Sequence, residues 1–83
     1  MGNPIPPRIR KAIDKYRDHH LYPGGFVDAV LVNDMIGAIG RADAESMAAL
    51  PAIVGYIHWE IPAKCHGNRA RVNAWLEHKE VTT

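Results

Sequence analysis

Six side chains in this sequence have the chemistry of metal ligands or nucleophiles: His19, His20, His58, Cys65, His66 and His78. A zinc site fixes two ligands on one turn, in patterns such as Cys-x-x-Cys or His-x-x-x-His, so that their lone pairs converge on one ion. None of the six is spaced that way. His19 and His20 are neighbours, and neighbours on a helix point about 100° apart, so they cannot readily share an ion. Cys65 beside His66 pairs a thiol with a base, but in a loop, and no third group is indicated to orient the imidazole. A small set of short helices also offers little of the cleft that an enzyme needs. The sequence therefore predicts a non-enzymatic protein with no metal and no cofactor.

Recognition chemistry is the remaining possibility, and two groups of residues could supply it. Tyr56 and Trp59 lie off the apolar face of their helix, and such aromatics dominate protein interfaces. Glu45 falls on the same side, and Asp28, Asp34 and Asp43 complete an acidic set in the middle of the chain. These six form the expected partner-binding group. The second group is basic: Lys64, Arg69 and Arg71 stand at the start of the last helix, where they could reach phosphates. They support an alternative reading as a small helical DNA-binding regulator. Against it, that helix soon becomes Val72-Asn73-Ala74-Trp75-Leu76-Glu77, unlike a polar recognition helix.

Size and charge narrow the classes. At 83 residues the chain makes one domain near the lower limit for burying its own core, so dimerisation or a partner would help it. With 47% hydrophobic residues it is globular in composition. A formal net charge of +1 favours neither a nucleic-acid binder nor a membrane-surface protein. The charges are unevenly placed, basic over 1–20, acidic over 21–60 and basic again over 61–83. One cysteine allows no internal disulfide, no charged-then-apolar leader precedes Pro4, and no run is long enough to span a bilayer, so the cytoplasm is the expected compartment.

The elements that would carry these residues are helices. Pro6-Pro7 suits a first turn, and Ile9, Ala12, Ile13, Tyr16 and His20 recur at helical steps, giving a helix from about Pro7 to His19. Leu21-Tyr22-Pro23-Gly24-Gly25 ends it. Residues 25–42 are apolar around almost the whole circumference, which predicts a central helix wrapped by the others. Asn33-Asp34 suits a helix interior poorly, so a break capped there is the alternative to one continuous helix. Asp43 caps the next helix, which Pro51 must kink or split. Asn68 caps the last, ending near Lys79 with Val72, Trp75 and Leu76 inward. The expected fold is all-α, a compact bundle of four or five short helices around a central apolar helix 25–42, with 1–5 and 80–83 loose.

Gly24-Gly25-Phe26-Val27, Ala29-Val30-Leu31, Asn33-Asp34, Ala42-Asp43, Leu50, Ile53-Val54, Glu60 with Pro62, Cys65 with Gly67, and Trp75-Leu76 together resemble small proteins encoded by phages and prophages. Some such proteins inhibit bacterial immunity. The resemblance implies an anti-CRISPR protein directed at a type I surveillance complex, acting as a monomer or homodimer in the host cytoplasm. Its carboxylates would compete with target DNA for basic protein surface, blocking DNA binding by occlusion.

Overall fold

The computed structural model describes residues 4–77, and its regular elements are helices: α1 (Pro7–His19), α2 (Gly25–Leu31), α3 (Met35–Arg41), α4 (Ala44–Ala48), α5 (Leu50–Glu60) and α6 (Arg69–Glu77), with a 3-10 turn at Ala63–Cys65. The fold is all-α. The expected loose tail 80–83, the inward stem of Lys79 and the candidate ligand His78 lie outside the described residues, as do residues 1–3.

Helix α1 keeps the span its spacing predicts. Pro7 opens it, and Ile9, Ile13 and Tyr16 form its buried stripe, while Arg8, Lys11, Lys15 and Asp18 stay exposed.

The expected central helix 25–42 is two helices. Asn33 takes a left-handed conformation, φ 67°, and the Asn33 and Asp34 amides donate to the Val30 and Ala29 carbonyls. Those bonds satisfy the last carbonyls of α2 in a Schellman arrangement, with Asn in the place glycine usually holds. Asp34 then caps α3, its side chain accepting from the Gly37 amide at 3.0 Å. Hydrophobic periodicity hid the break because apolar residues continue on both sides of it, while the Asn-Asp pair supplies one stop and one start within two residues. The central element is thus α2 alone. Val27, Ala29, Val30 and Leu31 are buried, and the helix packs against α1, α3 and α6.

Pro51 splits the following segment. Ala49 ends α4 and precedes α5, in whose first turn Pro51 needs no amide hydrogen. Asp43 caps α4 by accepting from the Ser46 amide at 2.8 Å, and Asn68 accepts from the Arg71 amide at 2.8 Å at the start of α6. Buried Ile53, Ile57 and Ile61 close the core from the α5 side, with Val72 from α6 and Cys65 from the 3-10 turn.

Tyr16 ties the ends of the chain together. Fully buried, it donates its hydroxyl to the Cys65 carbonyl at 2.6 Å, and its own carbonyl accepts from the Trp75 indole at 2.8 Å. Gly67, at φ 116°, turns the backbone so that its amide donates to the Leu31 carbonyl at 2.7 Å. A side chain would strain that conformation.

Candidate protein-binding surface

The two sets of recognition residues meet each other. Asp28 is 7% exposed on α2 and receives a bidentate contact from Arg69 of α6, with Nη1 at 3.0 Å and Nη2 at 2.8 Å. The Asp28 carboxylate holds the Arg69 guanidinium more firmly protonated than usual. A planar fork on a shielded carboxylate is the arrangement in which an Arg–Asp pair is strongest. This pair binds α2 to α6, so Asp28 has little to offer a protein partner and Arg69 little to offer phosphate.

The other basic candidates are also engaged. Arg71 donates to the Ala63 and His66 carbonyls at 3.3 and 3.4 Å, and the Lys64 ammonium lies 5.4 Å from the centre of the Trp75 ring. These contacts brace the turn before α6.

Asp43 and Glu45 share Arg8, whose Nη2 lies 2.8 Å from Asp43 and 3.1 Å from Glu45. The hydrogen bond from Ser46 holds the Asp43 carboxyl below the usual carboxylate range, with Arg8 adding to the effect. Both acids are exposed, but their charge is partly balanced by the basic end of α1. Asp34 is exposed as well, and no ion pair involves it among the described residues; its side chain caps α3 beside Arg41, which donates to the Gly37 carbonyl at 3.1 Å.

The aromatic pair divides. Tyr56 turns to α1, donating to Asp14 at 2.5 Å beneath the Arg10 guanidinium, which stands 4.7 Å from the ring centre. Arg17 reaches its hydroxyl at 3.4 Å. Trp59 remains 78% exposed, with His58 edge-on at 4.7 Å.

Searched by sequence and by structure, the chain matches no family model, no curated protein and no solved structure. Its site must be judged from its own surface.

That surface has an apolar feature that sequence reasoning placed in the core. Met35 and Val54 border a groove of about 180 Å³ between the α2–α3 corner and α5, floored by Val30, Leu31 and Ile57 and edged by Asn33, His58, His66 and Gly67. Next to Met35, Ile36 is 87% exposed. The break at Asn33 is what turns Ile36 outward, because it restarts the helix in a new phase. Reading Asp34 as a cap would have been the signal: it resets which residues of α3 face the core.

Cys65 is fully buried, and burial pushes its thiol up to about 11, which leaves it neutral and shielded from solvent at ordinary pH. Among the described residues no group of three His, Cys, Asp or Glu is placed to hold a metal, and no helix is long and apolar enough to cross a membrane.

Proposed function

We propose that this chain is a non-enzymatic, stoichiometric inhibitor that binds a host protein through the groove beside Ile36. The observation that carries the reading is the 87% exposure of Ile36, the next residue after Met35, which borders an open apolar groove. Water excluded from such a surface favours a protein partner that supplies an apolar side chain to the groove and a hollow for the isoleucine. Asp34 at the base of α3 adds a carboxylate that can meet a basic residue at the rim.

The resemblance to small phage and prophage proteins supplies the partner class. The partner is a type I CRISPR surveillance complex, held where Lys and Arg side chains would otherwise receive target DNA. Occlusion of that surface needs neither catalysis nor a cofactor, and it operates in the bacterial cytoplasm. The acidic contribution comes from Asp34, Asp43 and Glu45, the last two tempered by Arg8.

The test is to mix the purified protein with type I surveillance complexes and measure target-DNA binding. The expected result is a stoichiometric complex with lost DNA binding, weakened at least tenfold by Ile36→Asp and less by Asp34→Asn, which keeps the cap. No complex with any such assembly, or inhibition indifferent to Ile36, would overturn the proposal.

A further inference from the structure

Helix α5 is apolar on nearly every side, a composition expected of a helix surrounded by protein. Yet among the described residues only its Ile53–Ile57 side is covered. The opposite side carries Gly55 at the midpoint of the helix, with Ala52 and His58 three residues away and Pro51 and Trp59 four residues away. At helical spacing these five share one face. None is an Asp, Glu, Lys or Arg.

Among the described residues nothing explains Gly55. Its φ is not positive, and a Cβ added there would meet nothing within 4 Å. Glycine inside a helix is unfavourable relative to alanine, and neither a turn nor an internal contact requires it here. A glycine centred on a bare helix face allows the close approach of another backbone.

We infer that α5 pairs with α5 of a second copy of this chain, antiparallel across a two-fold axis at Gly55. Two properties of the face select a second copy. The first is shape. An antiparallel copy sets Trp59 of each helix over Pro51 and Ala52 of the other, so the bulky end meets the small end twice, while the two glycines meet at the crossing. The second is charge. A charged surface laid on this face would lose its water and meet no carboxylate, lysine or arginine, whereas a second copy brings a face equally free of them and an opposed helix dipole.

The extent sets the strength. Eleven residues make a helix roughly 16 Å long, and two such faces bury on the order of 800 Å² with both Trp59 rings enclosed, in the range of weak and reversible interfaces. The dimer therefore dissociates on dilution. The inference is independent of the proposed partner: the groove lies on the Val54 side of α5, and His58 borders both.

Sedimentation over a concentration series tests it. The expected mass rises from 9.2 kDa towards twice that value as concentration increases. Gly55→Leu and Trp59→Glu each weaken dimerisation at least tenfold, with helical circular dichroism unchanged. Gly55→Cys provides a second measurement that needs no loss of folding: on oxidation it cross-links to its symmetry mate, while Lys11→Cys on α1 does not. A monomer at every concentration, a dimer indifferent to both substitutions, or equal cross-linking at the two cysteines would overturn the inference. Capture of a different protein through Trp59 by a strictly monomeric chain would overturn it as well.

Discussion

Helices α2 and α5 are both apolar around most of their circumference, yet the described residues wrap the first and leave one side of the second bare. Val27, Ala29, Val30 and Leu31 of α2 are buried among α1, α3 and α6, whereas α5 buries Ile53 and Ile57 and shows Val54 and Trp59 to solvent. Composition states that a helix needs cover. It does not state whether the cover comes from the same chain.

Truncation on each helix should separate the two cases most widely. Leu31→Ala empties a fully buried position and should cost about 2–5 kcal/mol. Trp59→Ala, measured at concentrations where the protein is monomeric, should change stability by no more than about 0.5 kcal/mol. Urea denaturation reads both. Equal losses would mean that α5 is covered within the monomer after all.

The glycines sharpen the contrast at a smaller scale. A Cβ at Gly55 enters open space, so Gly55→Ala should stabilise the monomer by about 0.5–1 kcal/mol through helix propensity. At Gly37 the same carbon would collide with the Asp34 carboxylate that caps α3. Losing a cap costs about 1 kcal/mol, which cancels the propensity gain, so Gly37→Ala should bring no stabilisation. Thermal melts of the two variants, run in parallel at low concentration, distinguish them.

The enclosed side should also respond to alkali. Burial raises both the Tyr16 phenol, helped by Cys65 and Asp28, and the Cys65 thiol, the latter to about 11. Each is raised above its unfolded value, so the thiol's contribution is fully present below 9.0 and lost as pH rises through about 11, while the phenol's begins to fall only above 10.0. Denaturation midpoints between neutral pH and pH 11 should decline, and Cys65→Ala should remove part of the slope.

Local signals carried much of the fold. Pro7, Asp43, Pro51 and Asn68 act through backbone groups within four residues, and each start, stop or cap can be derived from its own neighbourhood. Asn33-Asp34 was ambiguous because the same pair can sit in a strained helix or make a corner, and surrounding apolar residues agree with both. The site was less legible. Asp28 and Arg69 are 41 residues apart, and each looked available until the fold placed one on the other. Ile36 looked like core because its helix was phased from residue 25 and not from Asp34. Trp59 was legible as an off-face aromatic, but Tyr56, equally off-face, finds Asp14 and Arg17 on α1.

The contacts of Tyr16 also bear on how the chain is made. During synthesis α1 leaves the ribosome well before the Cys65 carbonyl and the Trp75 indole that complete the surroundings of Tyr16. A chain ending near residue 60 can form α2, its corner and α3 from local contacts, but its first helix lacks the groups that hold it in place. Closure waits until Trp75 has emerged, so any shortened product ending before Trp75 leaves α1 without its anchor.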